Sequence, residues 1–247
     1  MASINTNYGA AIALQNLNKT NSELERTQNR INTGMKVSSA KDSGAIFAIA
    51  TSQRANAASQ DAVRAGLQRT QSITDVALAA GDTITTALEE MKSLAVSIQS
   101  ATAGSSAETS YLAEFNALGA EIATAISGAS FDGVNSLTTP LGGATVTGLT
   151  GGSVVRAGAT TTAVDSAIST VTGALSTLGT QSKSLGRQIT FVNKLQDALE
   201  AGVGNLVDAD LAKESAKLTA LQTKQQLGVQ ALSIANSSSS VLLGLFR

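Results

Sequence analysis

The chain has 247 residues, with 17 Lys and Arg against 18 Asp and Glu, one proline, 3% aromatics and neither His nor Cys. Without His and Cys there are no disulfides, no thiolate or imidazole metal ligands and no cysteine nucleophile, and the commonest general base is missing, so most hydrolase and metalloenzyme schemes fail. A net charge of −1 advertises neither nucleic acid nor an anionic surface as a partner, and a core of Ala, Leu, Ile and Val suits long, closely approaching helices better than an aromatic-lined pocket.

The charges are segregated along the chain. Residues 1–70 hold 8 basic and 4 acidic side chains, residues 71–180 hold 2 and 9, and residues 181–247 hold 7 and 5. The stretches Ala2 to Asn18 and Gln225 to Phe246 carry no charge, yet both place Leu, Ile and Ala at helical spacing among Asn, Gln and Ser. Chain ends are normally polar and frayed unless something ties them down. Two uncharged amphipathic ends therefore point to helices buried together and against other copies.

In chain order, residues 4–31 read as a helix, with Ala10, Leu17, Leu24 and Ile31 repeating at seven and Leu14, Asn21 and Gln28 in a second row. Polar residues in such a seam set register at some cost in stability. The same pattern also fits an ordinary amphipathic helix on a globular core. Residues 34–43 read as a non-helical connector, with Gly34 as a stop and Ser38, Ser39 and Asp42 as cap-type residues. From Gly44 to about Ala101 one very long helix is predicted. Its rows are Val63, Thr70, Ala77, Ile84, Met91 and Ile98, and Leu67, Thr74, Gly81, Leu88 and Ala95.

A turn at Ala103 to Ser106 leads to a helix near Glu108 to Ser127, with Leu112, Phe115, Leu118, Ile122 and Ile126 on one face. Residues 128–163 are rich in Gly and Thr and read as hairpins or extended loop, on the alternation of Val146, Leu149, Val154 and Val155. Helix resumes near Val164 and runs to about Ala201. Gly202-Val203-Gly204-Asn205 is expected to break it, making residues 202–207 a second connector. Asp208 or Asp210 then caps a last helix carrying Leu211, Leu218, Leu221, Leu227, Leu232 and Ile234.

The resulting architecture is mainly α: a long antiparallel helical coiled-coil rod. Its parts are a terminal-helix domain (1–33 with 205–247), a rod (44–127 with 164–201) and a small β-hairpin or variable loop (128–163). The ends are not self-sufficient. About six large aliphatics in residues 1–33 contribute roughly 9–18 kcal/mol on full burial, whereas ordering some thirty backbones costs about 1–2 kcal/mol each. Both ends are therefore expected to order on assembly.

Several blocks resemble bacterial flagellin. Ser3 to Asn7 (SINTN) is similar to the family's start, and Ile31 to Ala50 (INTGMKVSSAKDSGAIFAIA) to its Gly-Met/Leu-Lys/Arg-Val/Ile-x-Ser-Ala-x-Asp block. Phe131 to Leu137 (FDGVNSL) resembles a family turn, with Ser136 where Leu is usual. Ala209 to Phe246 is similar to the terminal helix. The resemblance implies paired terminal helices forming the inner tube of a filament, with Ile4, Leu14, Leu17, Leu24, Ile31 and the six apolar residues of the last helix as self-assembly positions. It implies secretion without a cleaved signal through the flagellar type III export apparatus, and further partners in a filament cap and hook-junction proteins. It also implies no cofactor, no nucleic acid and no membrane insertion. Flagellins that trigger an innate Toll-like receptor carry Arg where this chain has Glu90, which marks Glu90 as a receptor-evasion position.

A hook–filament junction protein, which shares such terminal helices, is the alternative within the same machinery, and a secreted membrane-interacting helical protein is the alternative outside it. Other signals are weaker. Gly202-Val203-Gly204 lacks the third glycine of a dinucleotide loop, and Asp208, Asp210 and Glu214 read as helix capping before they read as a cation site. Asn18-Lys19-Thr20 and Asn236-Ser237-Ser238 match a glycosylation pattern on segments expected to be buried, and Thr138 to Thr162 could carry hydroxyl-linked sugar.

Overall fold

The computed structural model describes residues 7–142 and 144–244. It is built of long helices and one two-stranded antiparallel sheet. The elements are α1 (Tyr8–Thr33), α2 (Gly44–Ser100), α3 (Ser106–Gly128), β1 (Ser130–Phe131), β2 (Val134–Asn135), α4 (Thr138–Leu141), α5 (Ala144–Thr150), α6 (Thr161–Val207) and α7 (Leu211–Gly244). They divide into two compact units, one of Ser59–Leu195 and one of Met1–Ala58 with Gln196–Arg247, and α2 and α6 contribute to both.

Unit 59–195 owes its core to the heptad rows of α2. Thr74, Ala77, Gly81, Ile84, Leu88, Met91, Ala95 and Ile98 are all buried, while the rows fade toward Val63, which is exposed. Against this seam pack Phe115 and Ile122 of α3 and Val164, Ala167, Val171 and Leu178 of α6. Two glycines set the spacing. A Cβ on Gly81 would collide with the Leu175 side chain, and one on Gly119 with the Leu149 carbonyl, so α2 approaches α6, and α3 approaches α5, more closely than alanine allows.

Residues 128–163 depart from the expected hairpins. Strand pairing is confined to Ser130↔Asn135 and Phe131↔Val134, around Asp132 (φ 53°) and Gly133 (φ 76°). Left-handed backbone at both central positions is what a tight two-residue hairpin requires, and Asp-Gly supplies it. Asn135 then turns the chain: its Oδ1 accepts from the Leu137 and Thr138 N–H groups at 2.9 and 3.2 Å. The alternating stretch around Val146 and Leu149 folds as helix α5, with both residues buried in the main core. Their separation of three puts them on one face of a helix but on opposite faces of a strand, so the helix is what buries both in one core. Asn116 pins the loop that follows, accepting from Val154 N–H at 2.8 Å and donating to its carbonyl at 3.1 Å.

The junction between α2 and α3 is closed by a polar clasp. Ser105 caps α3, its Oγ accepting from the Glu108 N–H at 3.2 Å, and the Glu108 carboxylate accepts in return from the Gly104 N–H. This is a variant of the Ser-x-x-Glu box of helix starts, with the carboxylate reaching the N–H one residue before the cap while the Ser105 N–H is taken by the Thr102 carbonyl. Arg156 completes it, donating to Glu108 at 3.2 Å and to the Ala101 and Gln99 carbonyls at 2.9 and 2.8 Å. Those carbonyls are orphans at the end of α2.

The Gly104 N–H, followed by Arg156, holds the Glu108 carboxyl below its ordinary 4.5. A depressed carboxylate contributes stability that is complete above its ordinary pKa and disappears as pH falls through the lowered value. Glu108→Gln is accordingly expected to melt earlier at neutral pH and to lose less on acidification. Calorimetric melts of both proteins between pH 7 and pH 3 check this, and parallel curves would contradict it.

The other unit has a small core of Val37, Ala50, Val203 and Val207. Its connector is tied by Asp42, whose Oδ2 accepts from the Ser38 and Ser39 N–H groups, both at 3.1 Å, and from both hydroxyls. These bonds, the Ser38 N–H foremost, lower the Asp42 carboxyl below its ordinary 3.8.

The expected break at Gly202 to Asn205 does not occur, and residues 202–207 are the last turns of α6. Glycine weakens a helix by about 1 kcal/mol without removing its N–H, and burial of Val203 and Val207 holds the turns in place. The helix ends where the Val207 carbonyl receives the N–H groups of Lys36 and Val37 at 2.7 and 3.3 Å, beside the Met35↔Asp208 bridge.

Candidate functional site

Helices α1 and α7 form an antiparallel pair whose register is fixed by four contacts. Asn7 caps α1, with Oδ1 accepting from the Ala10 N–H at 3.0 Å, and its Nδ2 donates to the Ala235 carbonyl at 2.7 Å. Gln225 donates to Asn21 Oδ1 at 2.9 Å, so the polar interruptions of the two seams meet each other. Arg30 meets Glu214 at 3.0 Å. Gly228 lies against Leu17, whose Cδ1 would stand 3.2 Å from an added Cβ. The pairs 7 with 235, 17 with 228, 21 with 225 and 30 with 214 sum to nearly constant values, as an antiparallel register demands.

Around this seam the sequence-predicted positions separate. Leu221 is buried, and Leu17, Leu24, Ile31, Leu218 and Leu232 are half-buried. Leu14, Leu211, Leu227 and Ile234 are exposed, joined by Tyr8, Ile12 and Val229, which the heptad pattern did not single out. Ile4 lies outside the described residues. The apolar side chains of α7 thus fall on several faces of the helix, only one of which is turned to α1. A helix with apolar residues all round belongs in an interior.

The pair also carries polar groups that it does not fully satisfy. Neither Arg30 Nε nor Glu214 Oε2, both buried, has a hydrogen-bond partner among the described residues. Glu214 is thus taken by Arg30 and does not join Asp208 and Asp210 as a ligand. Asp210 caps α7, its Oδ1 accepting from the Lys213 N–H at 3.1 Å. Among the described residues, no group of acidic side chains could hold a metal ion, and no helix is long and apolar enough to cross a membrane. Glu90 is exposed on α2, beside Asp82 and across from Glu121 of α3. The Arg30–Glu214 pair escaped sequence reasoning because nothing in one sequence couples charges 184 positions apart.

Residues 4–139 match the model of the bacterial flagellin N-terminal helical region, and residues 161–246 match that of the flagellin C-terminal helical region. The chain belongs to the bacterial flagellin family. Flagellin FljN of Caulobacter vibrioides is 54% identical across 99% of this chain and 98% of its own. A flagellin of Brucella melitensis is 39% identical over the whole of both chains, and flagellin C of Rhizobium meliloti is 32% identical over the same extent. As a flagellin, the chain is a structural subunit of the extracellular flagellar filament, a homopolymer that serves motility. In this flagellin the segment between the two matched regions holds α5 and the loop pinned by Asn116.

Proposed function

We propose that the α1–α7 pair is the surface through which this flagellin polymerises, and that its ordering is completed only in the filament. The observation that carries the reading is the set of exposed apolar residues on the pair: Leu14, Leu211, Leu227 and Ile234, with Ile12 and Val229. The half-buried seam residues Leu17, Leu24, Ile31, Leu218 and Leu232, with buried Leu221, hold the two helices together beneath that surface. Burying it against neighbouring copies removes apolar area from water at about 25 cal/mol per Å². Asn, Gln and Ser along both helices hydrogen-bond between copies and set register. A contact that joins different surfaces of successive copies, without closing into a ring, gives an open helical polymer. The export apparatus, filament cap and hook-junction proteins are the partners this reading assigns. The role is mechanical, and it needs no chemistry from any side chain.

The test begins with purified monomer, filament seeds and negative-stain electron microscopy, followed by hydrogen exchange on both states. Long uniform filaments are expected, with amides of α1 and α7 exchanging fast in the verified monomer and protected in the polymer. Terminal amides already protected in the monomer would reject the coupling of order to assembly. An intact soluble monomer that makes no filament would reject the polymerisation surface.

A further inference from the structure

Charge pairing inside unit 59–195 is incomplete in an ordered way. Four of its cations are matched: Arg64 with Asp61, Arg69 with Asp132, Lys92 with Asp165 and Arg156 with Glu108. The remaining three are Lys183, Arg187 and Lys194, all exposed and without an ion pair among the described residues. They stand four and eleven positions apart on α6. At about 100° per residue this places them within roughly 40° of one another, on one face. Phe191, 65% exposed, lies next to this face, about 40–80° around the helix from the three cations. A large aromatic left in water beside three unmatched cations offers an anchor to a partner surface.

The same unit carries the complement. Asp82, Glu89, Glu90, Glu114 and Glu121 are exposed and have no cation partner among the described residues. Three of them, Asp82, Glu90 and Glu121, rim an open groove of about 350 Å³ between α2 and α3, whose apolar lining is Ala87 and Leu118. One copy of the chain therefore presents an aromatic side chain flanked by cations, and a small apolar groove flanked by carboxylates.

We propose that these two surfaces meet between neighbouring subunits: Phe191 of one copy seats on Ala87 and Leu118 of the next, while Lys183, Arg187 and Lys194 face Asp82, Glu90 and Glu121. The occupant is a second copy because the protein is a homopolymer, so each subunit brings both surfaces at equal concentration. The contact joins different patches on the two copies, so it propagates and does not close on itself. Opposed charge fields steer docking and penalise wrong registers, and an aromatic anchor within a charged rim is the usual anatomy of a specific interface. The segregation of charge along the sequence thereby acquires a use, since the acidic middle of one copy receives a basic face of the next. This inference rests on the filament reading and adds a second, polar contact to the apolar one made by α1 and α7.

A charge-exchange experiment tests it. Variant one reverses the basic face (Lys183→Glu, Arg187→Glu, Lys194→Glu), and variant two reverses the groove (Asp82→Lys, Glu90→Lys, Glu121→Lys). Each alone presents like charge to its own copies, and its critical concentration for seeded polymerisation is expected to rise at least about tenfold. An equimolar mixture restores complementarity at every contact if the variants alternate, so it is expected to polymerise near the wild-type threshold, with both chains in each filament. Circular dichroism confirms helical monomers; should a reversal fail to fold, the Gln replacements at the same positions take its place, with a weakened salt dependence as readout. Variants that polymerise like wild type, or that fail equally alone and mixed, would overturn the contact. Failure of the wild-type chain itself would reject the filament reading instead, so the two are separable.

Discussion

Phe115→Ala is expected to lower the stability of unit 59–195 by about 3–5 kcal/mol, the cost of truncating a fully buried phenylalanine whose cavity cannot collapse. Phe115 is 0% exposed and sits in one cluster with Ile84, Leu88, Met91 and Ile122. The chain has only five phenylalanines and no tryptophan, and its core is otherwise assembled from small and medium aliphatics. Two features prevent relaxation around the void. Gly119, one turn along α3, already holds the Leu149 backbone at closest approach, and Gly81 does the same for the Leu175 side chain. The helices are therefore at their limiting separations and cannot move inward. Phe191→Ala is the control, an equally large deletion at an exposed site of the same unit, expected to change monomer stability by no more than about 0.5 kcal/mol. Urea denaturation of the three proteins, followed by helical circular dichroism, measures both. A loss below about 1 kcal/mol for Phe115→Ala would show a core able to repack.

What the sequence discloses of this fold depends on how each element is specified. Helix α2 was legible almost to its ends because its core rows repeat every seven residues over many turns and no proline interrupts them. The start of α7 was legible to within two residues: Asp208 and Asp210 were both candidate caps, and Asp210 is the one that caps. The glycines at 202 and 204 misled because a propensity of about 1 kcal/mol is small beside the burial of Val203 and Val207, which the sequence does not display. Helix α5 was missed for the opposite reason. Seven residues rich in Thr and Gly have no strong local preference, and the contact of Leu149 with Gly119 selects the helix. The hairpin was overextended in expectation, because among the described residues only Asp132-Gly133 supplies the left-handed pair that a tight turn requires.

The α1–α7 pair was legible in a different sense. Lack of charge over both ends led to the expectation that they are buried, and the heptad positions named part of the seam between the two helices. Which leucines face α1 and which face away follows only from the register, and the register depends on Asn7, Asn21, Arg30 and Glu214 finding partners across 184 to 228 positions. That separation is also why Tyr8, Ile12 and Val229 were passed over. Each looks incidental along the chain and becomes part of a continuous apolar surface only once the two helices lie side by side.

Leu227→Glu combined with Ile234→Glu is expected to abolish filament formation and to leave the monomer folded. Both residues lie on the face of α7 turned from α1, at 58% and 69% exposure, so neither substitution opens a cavity or breaks a contact in the single chain. In the polymer each side chain is called on to complete its burial, which is worth about 1–2 kcal/mol apiece, and a carboxylate in its place adds a desolvation cost of several kcal/mol. The loss exceeds about 4 kcal/mol per subunit added, and each 1.4 kcal/mol is a factor of about ten in critical concentration, so polymerisation leaves the accessible range. Leu221→Glu separates the two roles of the helix. Leu221 is 3% exposed between the two helices of one chain, and a charge there disrupts the α1–α7 pair itself, removing the helix signal that the pair contributes before assembly is complete. Sedimentation of seeded reactions and circular dichroism of the monomers together distinguish the cases. Normal filaments from the Leu227 and Ile234 variant would place the outward face of α7 against solvent, and would move the polymerisation contact elsewhere on the subunit.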